Sequence, residues 1–426
     1  MENSLVLDVR ERPESVLKWL ALSLQHVFAM FGATVLVPIL TGLPISVALV
    51  ASGVGTLIYI ACTRGRVPVY LGSSFAYIGA IIIAGSANGF GSAYIGLMAV
   101  GLVYVLVSFI IRFTGSGWIK KLLPPVVVGP MIIIIGLSLA QYAVADAGLD
   151  SNQGWRVPLV AIMSFSTVVL IALLSRGFFK IVPFIVAIFV GYVASAALGL
   201  IDFAEAFDGV RLVMVPEFQF IGTYTLDFTA VLMFLPLAFV TIAEHIGDHT
   251  VLGEITGKDF INEPGLDKTL LGDGLATFAS ALIGGPANTT YGENTGVVAM
   301  TRVASVYVTG LAAMIAIVLG FLGPVQAFVA SIPWAVIGGM TIILYGLIAS
   351  NGVKVLVRAK VDLSDIRNLI IVATMLIIGL GGGNIVLNEA ADFGGMSLAA
   401  VAGIFLNLVL PSMRPAKELA IAPQKL

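Results

Sequence analysis

The sequence predicts an all-α polytopic membrane protein with fourteen transmembrane segments in two inverted seven-segment repeats. Three observations predict it. Mean hydropathy is +1.05, and only 11% of the 426 residues are charged against 59% hydrophobic, which excludes a soluble multidomain chain of ordinary composition. Apolar runs long enough to cross about 30 Å of hydrocarbon alternate with short polar breaks. Two of these runs are interrupted at matching places in the two halves of the chain.

The segments centre near residues 28, 53, 77, 103, 132, 166, 190, 238, 276, 294, 314, 341, 373 and 404. Placing the amino terminus in the cytoplasm puts every Lys and Arg except Arg156 and Arg211 on the inner side, as the positive-inside rule requires. The outer loops carry acids instead, among them Asp146, Asp150, Asp202, Glu205, Asp208, Glu217, Asp227, Glu389 and Asp392. A segment miscounted by one would break this alternation, so both termini are expected to be cytoplasmic. Residues 1 to 17 contain Glu2, Asp8, Glu11 and Glu14 and lack a small-residue cleavage site, unlike a signal peptide.

The third segment, residues 67–84, begins Val-Pro-Val-Tyr-Leu-Gly before Ser73, Ser74 and Phe75. The tenth, residues 287–301, begins Ala-Asn-Thr-Thr-Tyr-Gly before Glu293 and Asn294. Each is expected to run extended and then turn helical. Lipid supplies no hydrogen bonds to extended backbone, so the two short stretches are expected to pair as antiparallel strands near the midplane. Leu24-Gln25-His26 resembles Ala243-Glu244-His245, and Gly72 resembles Gly292. The spacings agree, 46 residues from His26 to Gly72 and 47 from His245 to Gly292. Seven segments per half is an odd number, so the second half must enter the membrane in the opposite sense, the inverted repeat of secondary transporters.

Ionisable groups within the apolar spans are few: His26, Glu244, His245, Asp248, Asp273 and Glu293. A charge at the bilayer centre costs at least about 2.5–3.5 kcal/mol, which makes these functional candidates. Glu244 and Asp248 share one helical face; a ligand-facing acid and a structural network between helices are both open readings. Glu293 begins a half-helix with free backbone N–H groups, and either caps that helix or serves as a proton site. Asp273, near Lys268, is expected to be structural, His26 and His245 to be packing or network histidines, and His249 to do little. Half-helix ends at Ser74–Phe75 and Gly292–Glu293 offer donors, Glu244 an acceptor and Phe75 a flat apolar face. That set suits a small, planar, neutral solute with alternating N–H and C=O groups, such as a nucleobase edge. Cys62 and three scattered histidines supply no metal cage, and no polybasic tract points to nucleic acid. No cofactor and no enzymatic activity are expected.

The runs Ser23-Leu24-Gln25-His26-Val27-Phe28-Ala29-Met30-Phe31-Gly32 through Pro38, Tyr70-Leu71-Gly72-Ser73-Ser74-Phe75-Ala76, Ala243-Glu244-His245-Ile246-Gly247 and Asn288-Thr289-Thr290-Tyr291-Gly292-Glu293-Asn294 look like those of bacterial uracil permeases in the nucleobase-ascorbate transporter family. The resemblance runs from about Glu11 to Pro415. It implies a core domain at residues 15–115 and 228–325 and a gate domain at 116–202 and 331–412, the latter also mediating homodimerisation. It implies uracil:H+ symport by alternating access across a bacterial inner membrane. Glu244 would bind the uracil ring, the amides of Phe75 and Gly292 its carbonyls, with Ser74 and Tyr291 in the binding set and Tyr345 as a further match. Glu293, Asp248 and Glu244 would carry proton coupling. Some uracil permeases have histidine where this chain has Asp248, which leaves the proton donor open. A purine or anion carrier of the same fold, or a channel, are the alternatives.

Overall fold

The computed structural model describes residues 5–150, 154–220, 222, 224, 226, 228–388 and 391–411. In chain order the helices are α1 (Val16–Thr41), α2 (Ile45–Cys62), α3 (Ile78–Asn88), α4 (Phe90–Thr114), α5 (Gly117–Leu122), α6 (Pro125–Ser138), α7 (Ala140–Asp146), α8 (Arg156–Leu174), α9 (Pro183–Ala197), α10 (Phe203–Ala206), α11 (Phe228–Thr256), α12 (Leu266–Leu282), α13 (Gly292–Thr301), α14 (Val306–Gly320), α15 (Gly323–Ala330), α16 (Trp334–Arg358), α17 (Ile366–Leu380) and α18 (Gly395–Val409). The strands are β1 (Leu71–Ser73), β2 (Asn288–Thr290), β3 (Asn384–Asn388) and β4 (Ala391–Gly394). A 3-10 turn, Phe75–Tyr77, leads from β1 into α3.

Among the described residues seven helices are long and apolar enough to cross a membrane: α1, α2, α4, the joined α6–α7, α8, α11 and α16. Shorter apolar helices cover 75–88, 183–197, 306–320, 366–380 and 395–409. All fourteen centres expected from the sequence fall within helical elements. Sequence punctuation accounts for the boundaries. Ser15 caps α1, its Oγ accepting from Lys18 N, and Gly42 at φ +78° ends the helix. Prolines open α6 and α9 at positions where the missing N–H costs nothing.

Helices α1–α4, α11, α12 and α14 pack chiefly on one another, and α6–α9 and α16–α18 pack chiefly among themselves. At the α4–α12 crossing Gly101 and Gly274 face each other, each so close to the other helix that a Cβ would lie within 2.8 Å of the opposite glycine's carbonyl oxygen. Close approach through small residues replaces the hydrophobic drive that lipid removes.

The two interrupted segments pair as the sequence suggests. β1 and β2 are antiparallel, with Leu71 opposite Thr290, Gly72 opposite Thr289 and Ser73 opposite Asn288. The second pair, β3 with β4, is an antiparallel hairpin that the sequence reading treats only as an acidic outer loop. Glu389 within that loop lies outside the described residues, as do Asp227 and the basic residues Arg414, Lys417 and Lys425.

Candidate functional site

The strand pair is held from behind by hydroxyl side chains on the flanking helices and by the amide of Asn288 in β2. On α2, Ser52 Oγ donates to Leu71 O at 2.8 Å, and Thr56 Oγ1 accepts Leu71 N at 2.9 Å. On α12, Thr277 Oγ1 donates to Asn288 O at 3.0 Å and accepts Asn288 N at 3.2 Å. The Asn288 amide reaches Ala51 O at 3.1 Å and Ala276 O at 3.2 Å, tying β2 to both helices. Two further main-chain bonds lengthen the pairing, Ser74 N to Ala287 O and Tyr291 N to Tyr70 O. Every strand residue is buried, so this satisfaction is what permits extended backbone at that depth.

Each strand delivers the chain into a helix N-terminus, Phe75–Tyr77 leading into α3 on one side and α13 on the other. The first-turn N–H groups of such helices have no intrahelical partner and point out of the helix start. Ser74 is buried and its hydroxyl has no partner; Phe75 is half-buried. Gly292 is exposed, and a Cβ added to it meets nothing within 4 Å; the same is true of Gly79, Gly247 and Gly296. Open space therefore lies beside both half-helices and beside the acid-bearing stretch of α11.

Glu244 and Asp248 on α11 and Glu293 on α13 are near enough for their charges to interact. Among the described residues no protein group hydrogen-bonds the Glu244 carboxyl, which leaves it available to a ligand. Asp248 Oδ2 accepts from Thr290 Oγ1 at 2.9 Å, so this acid is coupled to the strand that presents Gly292. Glu293 lines a crevice with Phe28, Gly32, Val182, Phe184 and Met340, where α1 and α13 meet α9 and α16.

Tyr291 is 4% exposed, and its hydroxyl is already engaged: it donates to Ser73 O at 3.0 Å and accepts from Thr34 Oγ1 at 3.2 Å. It clamps β1 from the start of α13. Tyr345 is buried with no partner for its hydroxyl, and lines a separate cleft of about 450 Å³ with Asp146, Tyr142 and Trp334.

Of the remaining intramembrane polar groups, Asp273, His245 and His26 enter buried structural contacts as expected, and His249 departs from expectation. Asp273 does not face Lys268, whose ammonium donates to Pro264 O; its Oδ2 lies 2.6 Å from His245 Nδ1, with both side chains buried. The helical turn between residues 268 and 273 rotates the acid inward toward α11, where only another polar side chain can satisfy it. His249 is fully buried rather than peripheral. Its Nδ1 donates to His245 O at 2.7 Å, which leaves Nε2 of the neutral ring to accept from the Tyr59 hydroxyl, and its ring stacks on His245 at 3.9 Å. His26 joins α1 to α13, with Asn294 Nδ2 3.1 Å from both its Nδ1 and its carbonyl oxygen. No cluster of metal-ligating residues is present among the described residues.

Sequence reasoning missed the supporting hydroxyls. The signal was there in the pairs Ser52 with Thr56 and Thr277 with Ser280, hydroxyl residues one turn apart inside apolar helices, where a side chain either bonds its own helix or reaches a neighbour.

The model of the Permease family (Xan_ur_permease) matches residues 17–386. The chain belongs to this family. Uracil permease of Bacillus caldolyticus is 47% identical over 421 residues, covering 98% of this chain and 97% of that protein. Uracil permease of Escherichia coli K12 is 39% identical, covering 95% and 93%. Among solved structures, the transmembrane domain of the cyanobacterial bicarbonate transporter BicA superposes with a TM-score of 0.64 at 16% identity, covering 94% of this chain and 98% of that one. The murine Slc26a9 anion transporter in its inward-facing state superposes with a TM-score of 0.69 at 11% identity, covering 93% and 68%. These superpositions show a shared fold alone. This permease is thus a multi-pass membrane protein with a transporter fold.

Proposed function

We propose that this permease imports uracil together with a proton across a bacterial cytoplasmic membrane by alternating access. The reading draws on the names of its relatives and on one structural observation: two half-helix N-termini, brought together by β1 and β2, face an acid-bearing helix across open space. Backbone donors at Phe75 and Gly292 suit the two ring carbonyls of uracil, and the Glu244 carboxyl suits a ring N–H. The unpartnered Ser74 hydroxyl adds a hydrogen bond, Phe75 supplies the flat face, and Tyr291 contributes by fixing β1. Proton coupling falls to Glu293, with Asp248 and Glu244 as its neighbours. A pore would not need a carboxyl held free of protein partners beside convergent donors.

The fourteen segments would form two inverted repeats. A core (15–115 and 228–325) would rock against a gate (116–202 and 331–412), a division supported by the way the helices pack. Glu293, at the crevice between α13 and α9, would sit at that moving boundary. Charge placement supports cytoplasmic termini, and the gate would mediate a homodimer in the lipid.

The test is radiolabelled uracil binding to purified protein. Glu244→Gln is expected to abolish binding while leaving the protein folded. Unchanged affinity in that variant would refute the site. Competition by xanthine or bicarbonate equal to that by unlabelled uracil would refute the substrate.

A further inference from the structure

The helices bearing the two halves of the proposed site are joined a second time, far from it. α13 ends at Arg302, which holds φ +58° and ψ +21°, a left-handed conformation that side-chain-bearing residues rarely adopt. The half-helix of the first repeat ends differently, at Gly89, with φ +80° and nothing within 4 Å of an added Cβ. A glycine would serve the backbone at position 302 equally well, so the arginine side chain must add something.

What it adds is a junction. The Arg302 guanidinium donates from Nη1 to Ile255 O at 3.0 Å, in the last turn of α11. Its carbonyl accepts Val6 N at 2.8 Å, and the following residues bond the same amino-terminal strap, Ala304 N to Leu7 O and Val306 N to Val9 O, both at 2.9 Å. Leu7 and Val9 are buried. The strap in turn reaches the segment after α11, where Asp8 pairs with Lys258 at 3.0 Å. Three links thus close a triangle around the ends of α11 and α13.

We propose that Arg302 is a positioning residue: its guanidinium and carbonyl join α11, α13 and the amino-terminal strap at one point, and this junction sets the spacing between Glu244 and Gly292–Glu293. At 1.5 Å rise per residue the junction lies about 16 Å along α11 from Glu244 and about 14 Å along α13 from Glu293. Both arms are continuous helix, so a relative displacement of the two helix ends is carried along them to the site. The affinity consequence rests on the uracil reading above; the geometric one does not.

The test uses full-length protein carrying Arg302→Gly, which keeps the backbone conformation and loses the guanidinium, and Arg302→Lys, which keeps one donor. In a Cys62→Ser background, spin labels at Glu254→Cys and Ala299→Cys, both exposed, report the α11–α13 distance. The expected result is a narrow distance distribution that broadens in Arg302→Gly, with uracil Kd and transport KM raised about tenfold and the saturated rate changed less than about twofold. Arg302→Lys is expected to recover most of both. An unchanged distance distribution in Arg302→Gly overturns the proposal whether or not uracil is the solute, as does Arg302→Lys behaving like Arg302→Gly. Wild-type protein that fails to bind uracil would overturn the transport reading alone, since the label distances still report on the junction. Should Arg302→Gly not fold, Arg302→Met, which keeps an apolar stem and loses every donor, carries the same readout, with a similar broadening expected and an unchanged distribution overturning the proposal.

Discussion

Substituting Gly72 by alanine tests whether the paired strands are as tightly fitted as their hydrogen bonds suggest. A Cβ on Gly72 falls 2.3 Å from Cε2 and Cζ of Tyr291 and 2.7 Å from its hydroxyl oxygen, whereas ordinary contact begins at 3.4 Å. The ring must therefore retreat by more than about 1 Å, in a core where it is 4% exposed. Overpacking of this kind costs about 1–3 kcal/mol, and losing the Tyr291 hydroxyl bond to Ser73 O adds about 1 kcal/mol. Gly72→Ala is expected to destabilise the protein by about 2–4 kcal/mol and to weaken uracil binding, because β1 presents Ser74 and Phe75. The double variant with Tyr291→Ala isolates the contact: with the ring gone, the added methyl meets space, and the two costs fall short of additivity by about 2 kcal/mol. Chemical unfolding of detergent-solubilised protein measures the cycle. Wild-type stability in Gly72→Ala, or costs that add to within about 0.5 kcal/mol, would refute the reasoning.

Three other outcomes are expected. Asn288→Leu keeps the volume but removes the two hydrogen bonds that the amide donates to Ala51 O and Ala276 O, and is expected to cost about 1–3 kcal/mol in the same unfolding assay. Thr290→Val removes the hydroxyl that donates to Asp248 and is expected to lower uracil uptake roughly tenfold, while Thr290→Ser retains it; equal uptake in both variants would discount the Thr290–Asp248 link. Partial burial pushes the Asp8 carboxyl up, but the Val9 N–H and the Lys258 ammonium outweigh it and hold its pKa below the usual range. A depressed carboxylate contributes stability that is present above its unfolded pKa and is lost as pH falls through the folded one. Asp8→Asn should therefore lower stability slightly at neutral pH and not at all in strong acid. Both partners are substantially exposed, so the effect stays below about 1 kcal/mol and fades in high salt, which unfolding with and without 1 M salt would show.

The strand pair was legible because its signal is local. β-prone residues, a glycine and a polar helix start recur in both halves, and lipid leaves extended backbone only one way to be satisfied. The acids Glu244, Asp248 and Glu293 stood out for the same reason, their rarity in apolar runs. What could not be read were partners brought together by tertiary packing. Asp273 reads as structural from the sequence, but its partner does not: the helix turns it to His245 on α11. His249 looked peripheral by position, but packing of α2 closes over it with Tyr59. The strap at Leu7–Val9 carries no period that distinguishes it from a solvated terminus; its bonds are to residues almost three hundred positions later.

The β1–β2 pairing also bears on how the molecule is made. Leu71 finds its partner only when Thr290 has been synthesised, and at elongation rates of about 5–20 residues per second that interval is on the order of 10–40 s. During it the first strand sits among apolar helices without its ladder partner, held by Ser52 and Thr56 on α2 and by the bond from Ser73 Oγ to Thr34 O on α1. The newborn amino-terminal half thus waits in the bilayer with an unfinished seam, and the proposed solute pocket comes into being only as the last third of the chain arrives.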